Sequence, residues 1–397
     1  MKPSASSFSE PAFVLLLAFL FLIDVSIAAC YILLTVILVL FIFFLRKGGE
    51  FPRLPSYCAF FAAYIFFTLL STAFSVDRAA SIRDNKELLI FLLIPIYLWL
   101  LDSRKRVRLA LVAVLAAAAF SSLVGVATVL RRGIALYDRL KGFTSHWMTY
   151  SGLLMIPFIF FTVLLLLAPR DRRRAAVLAG ALALILLAIA FSLTRSVWLG
   201  IAAALVLFLV FFKPKYLLAL APLGLALALL APAAVKSRFL SIVDLHDRSN
   251  RERIYMAYSG LRIFHDRPWT GVGSNNVQRV IAGNEARYLH PQAEEVPLHL
   301  HDNFLQIMAE RGIFALASFV LACLAIILQL ARLLRSRTGE WRAITAGALF
   351  AFTGFLVAGL FEYNFGDSEI KFILFFFLSL PFARAGGAED GHAQADR

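Results

Sequence analysis

Twelve apolar runs, most of them long enough to cross a bilayer, follow one another along this chain with mostly short polar gaps between them. A spanning helix needs about 20 consecutive apolar residues, within a range of about 17–25. The runs lie at approximately 12–27, 29–45, 56–74, 87–101, 108–130, 147–168, 175–193, 197–212, 216–235, 313–334, 343–361 and 369–385. Hydrocarbon offers no partner to a backbone N–H or C=O, so an isolated apolar run inside it must be helical. The pattern predicts an all-α polytopic membrane protein with about twelve transmembrane helices. The first two runs and the fourth are short, and the first pair can also be read as a re-entrant hairpin. Composition agrees: 61% of residues are hydrophobic and 16% charged, against about 45–50% and about 25% in soluble domains.

The net charge of +14 invites a nucleic-acid reading, but the cations are placed otherwise. Arg46, Lys47 and Arg53; Arg104, Lys105, Arg106 and Arg108; Arg170, Arg172, Arg173 and Arg174; Lys213 and Lys215; and Arg332, Arg335, Arg337 and Arg342 fill alternate gaps between runs. The positive-inside rule puts those gaps and both termini in the cytoplasm. No basic domain or aromatic-basic interleaving marks a nucleic-acid partner; the expected surroundings are a lipid bilayer. The opposite, periplasmic face receives 75–86, 131–146, 194–196, 236–312 and 362–368. The organisation read from this is helices over 1–235, one large periplasmic loop over 236–312, helices over 313–385 and a cytoplasmic tail over 386–397. A connection as long as 236–312 is functional or disordered, and its mix of aromatic, Gly, Pro and His residues favours function.

Cys30, Cys58 and Cys323 all lie in apolar runs and form no CxxC motif, so they read as small buried hydrophobes. Ile27-Ala28-Ala29-Cys30 resembles a lipoprotein cleavage box, but Asp24 interrupts the run before it and the apolar run continues beyond Cys30. A first membrane hairpin fits better. Ala-rich stretches near 111–119 and 175–189 suit close helix packing.

The chemistry-bearing residues gather on the outer face. His299-Leu300-His301-Asp302-Asn303 ends the large loop where the chain re-enters the membrane, and imidazoles titrate near neutrality. His301 is the candidate base; Asp302 is a good N-cap for the helix that follows. The two histidines are two residues apart, the wrong spacing for one helix turn. Neighbouring Glu294, Glu295 and Asp302 complete no familiar metal pattern, so neither metal nor other cofactor is expected. Arg195 sits in a tight turn between two apolar runs on the face that the positive-inside rule depletes of cations. It either snorkels to headgroups or pairs with something functional, and the bias favours the second. Arg251 and Arg253 cannot share one helical face, so one of them points into a site and the other to solvent. Arg139 adds a further outer cation, His146 reads as structural, and Asp367, with Glu362 and Asn364, is placed to orient a His or an Arg. Gly271-Val272-Gly273 lacks the third glycine and the βαβ setting of a nucleotide fingerprint. It reads as a turn allowing close backbone approach.

Taken together, Arg139-x-x-Gly142, Thr194-Arg195-Ser196-Val197-Trp198-Leu199-Gly200, Arg251-x-x-x-Tyr255, Pro268-x-x-Gly271-Val272-Gly273 and the His299–Leu305 region running on to Glu310-Arg311-Gly312 resemble the O-antigen ligase and polymerase superfamily of bacterial membrane glycosyltransferases. The resemblance implies a GT-C-like fold in the bacterial inner membrane, with the active site facing the periplasm. It implies a metal- and nucleotide-independent, inverting transfer of polysaccharide from undecaprenyl diphosphate to the lipid A core oligosaccharide. Carried over by position, Arg195 and Arg251, with Arg253 and Arg139, hold the diphosphate. His301 activates the acceptor hydroxyl, supported by His299, Asp302, Asn303 and Asp367. Two departures stand out: Asp302 separates His301 from Asn303, and Arg311 takes the place of a residue usually uncharged, where it would add a phosphate contact. An O-antigen polymerase, using the same donor with a lipid-linked glycan acceptor, remains an alternative. A transporter fits less well, because its charges belong at the midplane.

Overall fold

The computed structural model describes residues 8–133, 139–168, 171–218, 224 and 231–384. Every regular element among them is helical. In chain order these are α1 (Ser9–Leu22), α2 (Ile27–Arg46), α3 (Tyr57–Ala73), α4 (Arg78–Asp84), α5 (Leu93–Leu100), α6 (Arg104–Arg132), α7 (Trp147–Leu167), α8 (Arg172–Phe191), α9 (Arg195–Phe212), α10 (Ala233–Leu240), α11 (Arg248–Asp266), α12 (Val277–Gly283), α13 (Glu285–Tyr288), α14 (Asn303–Ser336), α15 (Gly339–Ala358) and α16 (Ser368–Ser379).

Seven of these helices are long and apolar enough to cross a membrane: α2, α6, α7, α8, α9, α14 and α15. The expected number of about twelve meets local breaks. The run near 87–101 is a 3-10 segment, Asn85–Leu92, followed by the eight-residue α5. The last run is α16, twelve residues, closed by a 3-10 turn at Leu380–Phe382. Helices α1 and α3 are apolar but shorter. Most of the run at 216–235 and all of the tail at 386–397 lie outside the described residues.

Small residues set the packing. Helix α15 lies across α7 and α9, and α14 lies along α3. At the crossing of α9 and α15, a Cβ on Gly200 would stand 2.6 Å from the Gly354 carbonyl oxygen. The two backbones touch there, as small residues permit between membrane helices. The Ala-rich α6 and α8 also pack against each other.

The 236–312 stretch is largely helical and has an apolar core of its own, built from Ile263, Val272, Val277, Ile281, Leu300 and Ala309. Helix α11 is strongly amphipathic and supplies one wall. An Asp266 carboxylate accepts from both Arg287 and Tyr288, at 2.6 and 2.8 Å, and ties α11 to α13. The Pro268–Gly273 turn lies backbone to backbone on a break in α14. Val272 and Gly273 N–H donate to Ala309 and Glu310 carbonyls at 3.0 and 2.8 Å, and Ile313 N–H donates to Pro268 at 2.8 Å. The glycines therefore serve backbone approach to a helix.

Gly312 makes the break, with φ 76° and ψ −177° inside α14, and a Cβ there would collide with the Trp269 carbonyl. Gly312→Ala combines left-handed strain of about 1–3 kcal/mol with a main-chain clash. It is expected to lower the thermal midpoint of the purified protein, which a detergent-phase melting curve reads directly.

Candidate functional site

The break at Gly312 directs the first turns of α14 toward the loop between α15 and α16, residues 359–367. Asn303, fully buried, locks the two together. Its N–H donates to the Gly359 carbonyl at 2.8 Å, its Nδ2 to Asn364 Oδ1 at 2.7 Å, and its Oδ1 accepts from Phe365 N–H at 2.9 Å. Asp302 caps the helix, accepting from Leu305 N–H at 2.8 Å. Asn303 and Asp302 thus hold the backbone that carries the histidines on one side and Glu362 on the other.

His301 Nδ1 lies 2.9 and 3.0 Å from the two Glu362 carboxylate oxygens. His299 Nε2 lies 3.5 Å from Oε1 of the same carboxylate, and the two rings are 4.2 Å apart. His301 adopts φ 48°, a left-handed conformation that costs a non-glycine residue energy and concentrates at functional sites. A carboxylate on Nδ1 fixes the tautomer and leaves Nε2 as the nitrogen that carries the lone pair. Burial by itself would raise the Glu362 carboxyl, but the hydrogen bonds and charges of His299 and His301 overrule it and hold it well below the usual range. Burial alone would lower His299; its hydrogen bond to Glu362 and the carboxylate's charge raise it.

Asp367, expected to orient the histidine or an arginine, instead heads α16. Burial, and then the neighbouring Glu362 charge, raise it to about 7. An aspartate raised in the folded state costs stability above its unfolded value, and the cost grows until pH passes the folded value. Asp367→Asn is therefore expected to gain more thermal stability at pH 8 than at pH 5. Melting curves at both pH values check this; an equal gain at both would count against it.

Beside this dyad stand four arginines. The turn between α8 and α9 places Leu193, buried, at φ 52° and aims Arg195 at the loop after α10. Arg195 donates to the Ser241 carbonyl and Oγ at 2.6 and 2.8 Å and to Asp247 at 3.0 Å. Arg238 reaches the Leu193 carbonyl at 3.3 Å and lies 3.7 Å from the other Asp247 oxygen. Arg253 donates to the Phe361 carbonyl, next to Glu362, at 3.0 Å. Arg139 lies over the Trp147 ring at 5.0 Å. Burial, followed by the charges of Arg195 and Arg139, pushes Arg238 down to about 10. Arg139 is lowered by burial and by Arg195. Arg253 is lowered by burial, with Glu362 opposing and Arg195 reinforcing. Guanidiniums that depress one another mark a place short of negative charge.

The structure separates Arg251 from Arg253. The first is exposed; the second is half-buried against the Glu362 loop. Two residues on one helix differ by about 200° of rotation. Arg311 is not presented to the arginine cluster: it is buried, bonds Glu310 at 2.7 Å and lies 3.6 Å from Asp84. His146 caps α7, accepting from Met148 N–H at 3.3 Å, yet it feels the charges of Glu362, His301 and His299, so it borders the site. Sequence reasoning missed Arg238 and Asp247, which carry no motif and sit in what reads as plain loop. It also favoured Asp367 where Glu362 is the residue that meets the histidines.

His299, His301 and Glu362 offer ligand atoms within 4.8 Å of one another. Sequence spacing gave no hint of such a set, because Glu362 comes from 61 residues beyond His301. The four neighbouring cations oppose a divalent ion there and favour an anion.

Residues 180–320 match the family model described as O-antigen ligase. That segment is therefore similar to the O-antigen ligase and polymerase superfamily. The matched segment contains Arg195, Arg238, Asp247, Arg253, His299 and His301. Arg139, Glu362 and Asp367 reach the same place from outside it. The family supports an O-antigen ligase or polymerase type of activity, a glycosyltransferase-like enzyme acting on lipid-linked glycan in a multi-pass membrane protein. No curated protein matches the chain.

Proposed function

We propose that this protein is an O-antigen ligase. It transfers polysaccharide from undecaprenyl diphosphate to a sugar hydroxyl of the lipid A core, at the periplasmic face of the inner membrane. The observation that carries the reading is the juxtaposition of four clustered arginines with a histidine–glutamate pair at the ends of membrane helices. Guanidinium forks match phosphate oxygens and remain charged. A diphosphate leaving group gains negative charge as its bond to the sugar breaks, and fixed cations stabilise that change.

In the proposed step, Nε2 of His301 takes the proton of the acceptor hydroxyl. The oxygen attacks the anomeric carbon from the face opposite the diphosphate. The C–O bond to phosphate breaks, and the electron pair leaves with undecaprenyl diphosphate, inverting the configuration. Glu362 holds the imidazole tautomer and stabilises the imidazolium. Arg195, Arg253, Arg238 and Arg139 bind the diphosphate, and energy comes from the donor, without nucleotide or metal. An exposed apolar stretch beside Arg195, with Phe239, Leu240, Val243 and Leu245 each at least 62% exposed, supports a donor that arrives within the membrane.

A lipopolysaccharide gel from a strain lacking the gene tests this. Unsubstituted core with long polymer retained on undecaprenyl diphosphate supports the ligase. Core bearing a single repeat unit identifies a polymerase instead, and an unchanged ladder removes both.

A further inference from the structure

A large open groove lies at the opposite ends of the helices from the arginine–histidine site. It has a volume of about 1010 Å³ and lies where α6 and α7, both packed against α8, stand off from each other. Helices α6 and α8 begin at this end and α7 finishes there. Its floor is apolar and buried: Leu111, Phe161, Leu164 and Leu178. Its rim is formed by Val112 and Val177, 62% and 67% exposed. Polar residues gather at its mouth, where Arg108 pairs with Glu340 at 2.8 Å and Arg174 with Asp171 at 3.0 Å. Arg173 lies exposed between them.

We infer that this groove binds one anionic glycerophospholipid, with its acyl chains along the apolar floor and its phosphate at Arg173 and Arg174. Within a bilayer, apolar walls without hydrogen-bonding groups exclude water and are filled by hydrocarbon. Three arginines against two carboxylates leave the mouth positive, and basic residues at a membrane surface attract anionic headgroups. The site shares no residue with the proposed transfer site, so it stands or falls separately.

The test is native mass spectrometry of the full-length protein in detergent. It is offered equal amounts of phosphatidylglycerol and phosphatidylcholine with identical acyl chains. Each arginine near a charged headgroup contributes about five-fold in affinity, so wild type is expected to retain one phosphatidylglycerol over phosphatidylcholine by at least about ten-fold. Arg173→Gln with Arg174→Gln is expected to abolish the preference. Val112→Trp, which projects a ring into the groove from an exposed position, is expected to expel the lipid. Equal retention of the two lipids by wild type overturns the inference, and so does preference surviving in the double-glutamine variant. Should Val112→Trp fail to fold, the double-glutamine variant decides alone, since its residues are exposed.

Discussion

His301→Asn is expected to abolish glycan transfer while the protein accumulates in the membrane at the wild-type level. Asparagine is the informative choice because it tolerates the left-handed backbone that residue 301 adopts. The variant then loses the imidazole without gaining strain. General-base catalysis contributes about 10²–10⁴-fold, and an amide cannot take the acceptor's proton. Glu362→Gln removes the carboxylate that both His301 and His299 meet, so it is expected to cause a smaller loss through a mis-oriented ring. If Glu362 acts through His301, the double variant is no slower than His301→Asn alone, because residues working as one unit are non-additive. The readout is ligation to core oligosaccharide with purified donor. Transfer near the wild-type rate in His301→Asn would remove His301 as the base. His299, 4.2 Å away ring to ring, is then the group to test.

The membrane character of this chain was legible because apolar runs of helix length admit few alternatives. Their number was less so: run length cannot reveal that Asn85–Leu92 tightens into a 3-10 segment or that α14 breaks at Gly312. Asp302 as a helix cap was readable from local chemistry, since N-capping is decided within one turn. The partner of His301 was not. Glu362 and Asp367 stand five residues apart in one short loop, and only the Asn303 clamp on Asn364 and Phe365 decides which carboxylate meets the imidazole. Arg238 was invisible for a similar reason. Its role comes from the Leu193 turn and from Asp247, contacts that span the chain outside any motif. The small core under the 236–312 stretch escaped notice because its six residues are scattered among polar ones.

Arg195→Lys is expected to cost about 10²–10³-fold in transfer, the range seen when one transition-state donor is removed, although the charge is kept. Lysine supplies a point charge where arginine supplies a rigid planar fork. Here the fork is held in place by Ser241 and Asp247. Arg195 is also part of the packing at the start of α9, so loss of activity alone does not separate binding from folding. A soluble prenyl diphosphate provides the second readout: wild type is expected to be stabilised thermally by it and Arg195→Lys much less. Arg253→Ala, which removes a guanidinium beside the Glu362 loop, is expected to lose about 10–100-fold, the value of a hydrogen bond to a charged group. Arg251→Ala should stay within about two-fold, as an exposed substitution away from the cluster does. The ordering matters more than any single value. Equal losses at 251 and 253 would mean that the diphosphate binds along the outer side of α11, away from the histidines, and that the arginine cluster does another job.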